Sequence, residues 1–189
     1  MVLPGTQLFP HALLPLFIFE PRYREMLSWS LQQDRMFCIA PMKPGISEAR
    51  TADDFYHVVG LGLVRACVGR DNGTSHLVLQ GLARMQIVGF LQDAPFRIAE
   101  LRELASRPPT PAEREPLAGS LHTLCTRLFA GKPKLPAGLE EQLEQVDDPS
   151  ILSDVLAHAC LDDPEVRQAV FEELDVVRRV ALLTKHLGV

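Results

Sequence analysis

The sequence predicts an α+β protein in which a β-rich first half precedes an all-helical second half. Residues 58–68 and 76–91 are long apolar and β-branched runs, and the Asn72-Gly73 dipeptide between them is the strongest short signal for a hairpin. Residues 106–111 include three prolines, which predicts a stiff connector. Beyond this connector, apolar residues recur at helical spacing. Together these features indicate the α+β class.

Residues 1–105 are predicted to form the β-rich subdomain. Proline blocks helix interiors, so its recurrence every five or six residues predicts an extended start. These prolines are Pro4, Pro10, Pro15 and Pro21. Residues 22–32 contain no glycine or proline and predict a short helix that begins at the preceding proline. The other predicted elements are a buried strand, a loop and a half-exposed strand, at residues 36–42, 43–54 and 96–104.

Residues 112–189 are predicted to form a helical subdomain, which the connector at 106–111 joins to the first. Two Asp-Pro pairs mark helix starts, because aspartate caps the first turn and proline fits the first helical position. The predicted helices cover an apolar stripe in residues 117–129, a short segment at 138–146, and segments that start at Asp148-Pro149, Asp163-Pro164 and Asp175. Gly188 is predicted to cap the last helix.

The charges are distributed unevenly. Residues 1–104 carry ten Lys/Arg and ten Asp/Glu, whereas residues 105–189 carry nine and fourteen. Nucleic-acid-binding proteins usually have a basic face, so this composition argues against a nucleic-acid partner. The longest apolar run, residues 12–19, contains a proline and is shorter than the ~20 residues of a membrane helix. No basic residue precedes Arg22, so we expect neither a membrane segment nor a secretory signal.

The four cysteines lie in apolar stretches and form no Cys-x-x-Cys pair. They are predicted to be buried free thiols in a reducing compartment, which favours a cytoplasmic location. They are Cys38, Cys67, Cys125 and Cys160.

The sequence contains no motif for catalysis, a metal or a cofactor. The phosphate-binding Gly-x-x-x-x-Gly-Lys-Ser/Thr loop is missing, and the Gly-Leu-Gly at residues 60–62 lies in an apolar run where small residues permit close packing. His122 and Cys125 are three residues apart, but no third metal ligand accompanies them. The paired aspartates before prolines are explained by helix capping. We therefore expect no catalytic residue, no metal and no cofactor.

Glu20 is an acidic residue in an apolar setting, and it is followed by Arg22 and Arg24. A carboxylate in such surroundings needs a partner, and an arginine can supply it. Two interpretations remain open. The group is either a buried clasp that ties a strand to a helix or part of a groove for an extended peptide.

Two segments around this glutamate resemble a known family. Residues 8–10, Leu-Phe-Pro, and residues 14–24, Leu-Pro-Leu-Phe-Ile-Phe-Glu-Pro-Arg-Tyr-Arg, are similar to the opening signature of the Lon protease N-terminal domain. Weaker similarities follow in the family's order, at residues 55–60, 79–85, 147–149 and 174–183. The chain departs from the family's pattern at His11, where glycine is usual, and at Phe17, where histidine is frequent.

The resemblance implies a PUA-like β pseudo-barrel followed by a small helical bundle. In Lon, this region helps to recognise unfolded or tagged protein substrates. The ATPase and the Ser–Lys peptidase of full-length Lon have no counterpart here, so we expect a non-catalytic module that binds extended or partly unfolded polypeptide, with an adaptor role in proteolysis or protein quality control. The residues assigned to binding are Phe9, Glu20, Arg22, Tyr23 and Arg24. Exposed strand edges are expected near Phe9, Met36 and Met42.

A second interpretation is a domain that binds a small molecule or RNA, because PUA-like folds elsewhere bind RNA. The neutral first half and the lack of aromatic residues interleaved with Lys/Arg argue against RNA. The oligomeric state stays open.

Overall fold

The chain divides into two units, Met1–Leu104 and Ala105–Val189. The computed structural model describes residues 1–129 and 146–187. The first unit contains six strands and one α-helix, and the described part of the second contains four α-helices. The predicted α+β class is confirmed.

The first unit is built on one mixed sheet. Its strands are β1 (Val2–Leu3), β2 (Leu13–Ile18), β3 (Met36–Pro41), β4 (Val58–Gly69), β5 (Ser75–Gln92) and β6 (Ile98–Leu104). The order is β1-β3-β4-β5-β2, and β6 also pairs with β5. Only the β1–β3 pairing is parallel among these strands. The sheet is open rather than a closed barrel, because β1 and β2 lie at the two ends of this path.

Strand β5 organises the sheet because of its length. Its 18 residues pair with β4 along one edge. Along the other edge, its first part pairs with β2 and its second part with β6. The hairpin between β4 and β5 turns at Asn72-Gly73, where Gly73 has a φ of +79° that favours glycine. The Asn72 side chain accepts a hydrogen bond from the Thr74 N–H at 3.1 Å. The predicted hairpin is therefore confirmed.

Helix α1 (Pro21–Gln32) packs on the core of the first unit. It starts with proline in its first turn, as predicted. Its buried residues follow the spacing of one helix face, and they are Tyr23, Met26, Leu27 and Ser30. Tyr23, Met26 and Leu27 join a core cluster that includes Ile18 of β2 and Leu77 and Leu79 of β5.

Three glycines let the segment before β2 lie directly on the sheet. A Cβ at Gly60 would collide with the Leu8 carbonyl, and a Cβ at Gly81 would collide with the Phe9 carbonyl. A Cβ at Gly62 would collide with the Leu8 and Leu79 side chains. The prediction that the small residues of the Gly-Leu-Gly segment at 60–62 permit close packing is confirmed for Gly60 and Gly62.

The described part of the second unit consists of four helices, and three of them begin with an aspartate cap. They are α2 (Pro111–Phe129), α3 (Pro149–Cys160), α4 (Pro164–Glu172) and α5 (Val176–His186). The side chains of Asp148, Asp163 and Asp175 accept backbone N–H groups in the first turns of the last three, which confirms these predicted starts. The helix predicted at 138–146, apart from Val146, and the cap predicted at Gly188 lie outside the described residues.

A buried arginine organises the core of the second unit. The Arg179 side chain is 0% exposed, and its Nη1 lies 3.0 Å from Asp154 Oδ1. Its Nε donates to the Glu173 carbonyl at 2.9 Å, and its Nη2 donates to Ser106 Oγ at 2.6 Å. The guanidinium therefore ties the segment before α2 to α3 and α5, and the charge is neutralised where it is buried.

Candidate functional site

The Glu20–Arg pair predicted from the sequence forms at the surface. Arg22 Nε donates to Glu20 Oε2 at 2.9 Å, and Arg22 Nη2 lies 2.8 Å from the same oxygen. The Glu20 side chain is 35% exposed and that of Arg22 is 46% exposed. The predicted burial of this clasp is wrong, because the neighbouring apolar residues Phe17 and Phe19 are themselves exposed. An ion pair with this exposure contributes at most about 1 kcal/mol to stability.

The other three signature residues occupy different settings. Tyr23 is buried in the core beneath α1. Phe9 is fully buried and lies 6.0 Å from the Arg84 guanidinium, so the expectation of an exposed strand edge at Phe9 is wrong. Arg24 is exposed and lies so close to the β4–β5 turn that a Cβ at Gly73 would collide with its guanidinium.

Apolar side chains cover the solvent-facing side of β2 and its neighbours. Side chains alternate along a strand, so Leu13, Pro15 and Phe17 share this side of β2. Phe17 is opposite His76 of β5 in the sheet register, and His76 is opposite Val68 of β4. We call this surface the β2 face, and it comprises Leu13, Pro15, Phe17, Val68, His76 and Val78.

Phe17 lies at the centre of the β2 face. Its ring stacks on His76 with 4.6 Å between centroids, and the Phe19 ring lies 5.8 Å away. The Arg70 guanidinium is 5.9 Å from the Phe17 centroid. A shallow groove of about 440 Å³ runs along these side chains, and Val68 in its wall is 67% exposed. The face thus combines aromatic and aliphatic surface with a cationic group at one end.

Strand β2 also forms an end of the sheet. One of its edges pairs with β5, and no strand of the described residues pairs with the other edge. An open edge beside exposed apolar side chains allows an extended polypeptide to pair through its backbone and to place alternate side chains on the face.

A second apolar feature of the first unit is a cavity of about 210 Å³, which we call the α1 cavity. Its walls include Met26 and Trp29 of α1, Met36 of β3, Phe90 of β5, and Phe96 and Arg97 before β6. Arg97 is the only charged side chain among the described residues that line it. The centroids of the Trp29 and Phe96 rings are 6.0 Å apart.

Two of the four thiols, Cys38 and Cys125, offer little nucleophilic reactivity. Burial raises the pKa of Cys38, which also lines the α1 cavity, to about 11. Burial likewise raises the pKa of Cys125 in α2 to about 11. Both thiols are protonated at neutral pH, and the thiolate is the nucleophilic form. The described residues include no group of three His, Cys, Asp or Glu side chains that could hold a metal ion.

Residues 1–188 match the family model described as the ATP-dependent protease La (LON) substrate-binding domain. The chain belongs to this family. The resemblance read from residues 8–10 and 14–24 is therefore confirmed, and substrate recognition is the role that the family description gives to this region.

Relatives of this LON substrate-binding domain are whole Lon proteases. The chain is 24% identical over 189 residues to the Lon protease of Desulfosudis oleivorans, covering 100% of the chain and 23% of that protein. It is 27% identical over 188 residues to Lon protease 2 of Myxococcus xanthus, covering 98% of the chain and 23% of that protein. The chain thus spans about a quarter of the length of the curated relatives it matches.

Two solved structures share the fold. The N-terminal domain of the Mycobacterium avium complex Lon protease superposes with a TM-score of 0.77 at 18% identity, covering 100% of this chain and 96% of that one. A Lon N-terminal domain protein from Xanthomonas campestris gives a TM-score of 0.68 at 17% identity, covering 97% and 95%. No helix among the residues described for this LON domain is both long and apolar enough to cross a membrane.

The sequence left a peptide groove around Glu20 open as one interpretation, but it identified neither the exposed side of β2 nor the α1 cavity. Residues 13–18 are all apolar, so their pattern could not show which side of β2 faces solvent. The walls of the α1 cavity come from elements that are far apart in the chain. Of the wall residues named above, only Met36 had been singled out from the sequence, and it had been expected near an exposed strand edge. The pairing of β2 with β5 determines which alternate side chains of β2 are exposed.

Proposed function

We propose that this LON substrate-binding domain is a non-catalytic module that captures extended or partly unfolded polypeptide on the β2 face. The observation that carries the proposal is the open edge of β2 beside exposed Leu13, Phe17 and Val68. The family's description as a substrate-binding domain supports it. The proposal includes a cytoplasmic location and an adaptor role in proteolysis or protein quality control.

The geometry of β2 suits an extended ligand. Leu13, Pro15 and Phe17 repeat with the period of two that an incoming strand would also have. Side chains at alternate ligand positions would then lie over the groove, while the ligand backbone pairs with the strand edge. Such contacts tolerate many sequences, because backbone pairing is independent of side-chain identity. A domain that binds unfolded chains needs this tolerance.

The exposed signature residues form a polar rim in this proposal. Phe19 continues the apolar surface beyond β2, and Glu20 and Arg22 follow it directly. Arg24 lies against the β4–β5 turn, which also holds Arg70 next to Phe17. Phe9 and Tyr23 are buried and would act by supporting the fold rather than by touching a ligand.

The region that is matched supports the proposed absence of catalysis. The chain aligns with the substrate-binding domain and with about 23% of whole Lon proteases. The Cys38 and Cys125 thiols are held in the unreactive form by burial.

Binding of reduced, carboxymethylated α-lactalbumin, a permanently unfolded protein, tests the proposal by fluorescence anisotropy. Phe17→Ser combined with Val68→Ser should weaken binding about tenfold, because a few central apolar residues carry most interface energy. Leu91→Ser is the matched control, since Leu91 is 74% exposed on β5 but lies outside the β2 face. Thermal melting would confirm that both proteins fold. Equal weakening by the two changes, or no binding by the unaltered chain, would refute the proposal.

A further inference from the structure

We propose that the α1 cavity is a separate site for a small carboxylic acid with an apolar, preferably aromatic, body. The site does not depend on the proposed capture of polypeptide, because none of the residues that form the β2 face lines it. The proposal rests on three properties of the cavity: its size, the chemistry of its walls and the position of Arg97.

The size fits a ring with a short chain. A cavity of about 150 Å³ with apolar walls is known to hold benzene in another protein, and the α1 cavity measures about 210 Å³. The extra volume corresponds to a few further carbon atoms. The ligand class is therefore an arylalkanoate or a comparable short carboxylic acid rather than a nucleotide or a long-chain lipid.

The walls suit an aromatic body. Trp29 and Phe96 lie 6.0 Å apart with their planes tilted by 50°, and Phe90 lines the same space. Aromatic rings attract one another in such tilted arrangements. Met26 and Met36 contribute flexible thioether side chains, which adapt to irregular ligands and contact ring edges favourably.

Arg97 supplies the charge that selects a carboxylate. Its Nη2 donates to the Arg50 carbonyl at 2.6 Å, and its guanidinium lies 5.3 Å from the Phe55 ring centroid. These contacts hold the cation at the cavity wall, where its side chain is only 24% exposed. The nearest carboxylate in an ion pair with it belongs to Asp93, whose Oδ1 lies 3.6 Å from Arg97 Nε. The Asp93 side chain is 83% exposed, so solvent strongly screens the attraction between the two charges.

The held guanidinium therefore keeps a positive charge that is not matched inside the cavity. Neither the Arg50 carbonyl nor the Phe55 ring carries a net charge. Arg97 also acts on the Asp54 carboxylate, but Asp54 does not line the space. The Met1 amino group does line it, but burial lowers the pKa of this amine to about 6, so it is mostly neutral at pH 7. A ligand carboxylate would complete the charge balance through short, charge-assisted hydrogen bonds. A neutral ligand of the same shape would gain only the apolar contacts.

Trp29 makes the test direct, because it is the single tryptophan of the chain and lines the cavity. The probes are 3-phenylpropionate and its neutral counterpart 3-phenylpropan-1-ol, titrated against the full chain with Trp29 emission and calorimetry as readouts. The carboxylate should bind about tenfold more tightly than the alcohol and shift Trp29 emission, because hydrogen bonds to a charged group are stronger than neutral ones.

Arg97→Gln should abolish this preference and leave the affinity for the alcohol unchanged. Arg102→Gln is the matched control, since Arg102 is exposed on β6 and does not line the cavity. The Phe17→Ser/Val68→Ser variant should bind the carboxylate normally, which separates this site from the β2 face. Equal affinity for acid and alcohol in the unaltered chain would overturn the proposal even if Arg97→Gln failed to fold. Binding that calorimetry detects but that does not change Trp29 emission would also overturn the proposal, because the ligand would then be bound elsewhere.

Discussion

The Tyr23 hydroxyl donates to the Val2 carbonyl at 2.9 Å and accepts from the Val2 N–H at 3.2 Å. One side chain of α1 thus satisfies both backbone groups of a residue in the two-residue strand β1. Burial, the largest cause, raises the pKa of Tyr23 above its usual value of 10.0. The hydroxyl is therefore neutral at every physiological pH and can play both hydrogen-bonding roles.

Tyr23→Phe should lower the free energy of unfolding by about 1–3 kcal/mol, because it leaves the partly buried Val2 N–H and carbonyl without their partner. Chemical denaturation followed by far-UV circular dichroism measures this change. Val2 should also exchange its amide hydrogen faster in the variant. Unaltered exchange at Val2 together with unaltered stability would show that β1 does not need this contact.

Glu20→Ala should lower the free energy of unfolding by less than about 1 kcal/mol, because the Glu20–Arg22 pair is exposed to solvent. The same denaturation experiment at low and high salt measures it, and the small effect should shrink further in high salt. A loss comparable with that of Tyr23→Phe would mean that the carboxylate is more deeply buried than its 35% exposure indicates.

The sequence predicted the local elements because local chemistry specifies them. The helix after Glu20, the turn at Asn72-Gly73 and the cap at Asp148 each depend on a few adjacent residues. The burial of Arg179 could not be predicted in this way. Its partners include Ser106, which lies 73 positions away in the chain.

The candidate site was predicted only in part for the same reason. The signature around Glu20 identified the family and the pairing with Arg22, but not the exposure of that pair. The exposed side of β2 depends on which strand pairs with it, and a run that is apolar throughout has no preferred side. The α1 cavity depends on where Trp29 meets Phe96, which lies 67 positions away and outside α1.

Arg179→Ala should destabilise the second unit by about 3–5 kcal/mol, because it removes the buried guanidinium that lies 3.0 Å from the buried Asp154 carboxylate. Arg178→Ala is the matched control, since Arg178 is the adjacent residue in α5 but is exposed, and its loss should change stability by about 0.5 kcal/mol or less. Guanidinium denaturation of both variants gives the comparison. Equal effects of the two changes would contradict the role assigned to the buried pair.

Cys38 and Cys125 should react slowly with iodoacetamide in the native protein. Burial raises the pKa of each thiol to about 11. At about pH 8 only about one thiol in a thousand is then in the reactive thiolate form. Mass spectrometry of peptides after timed alkylation measures each site, with the guanidinium-unfolded chain as the control. Native labelling as fast as unfolded labelling would show that these thiols are not protected.

Asp54 should titrate below its usual pKa of 3.8 in the folded protein. The main causes are the hydrogen bonds that its Oδ2 accepts from the Thr51 N–H at 2.6 Å and the Arg50 N–H at 2.8 Å. A carboxyl whose folded pKa is depressed stabilises the protein above its unfolded pKa, and this contribution is lost as pH falls through the folded value.

The midpoint can be read from the carboxyl carbon chemical shift of Asp54 during an acid titration. In Asp54→Asn, the loss of stability in acid that is due to Asp54 should disappear. The free energy of unfolding near neutral pH should be lower than in the unaltered chain, because the amide oxygen is a weaker hydrogen-bond acceptor than the carboxylate. Asp53 lies next to Asp54 in the short 3₁₀ helix Ala52–Asp54, and Asp53→Asn serves as the control substitution. A midpoint at or above 3.8 for Asp54 would show that the two N–H groups do not hold the carboxylate.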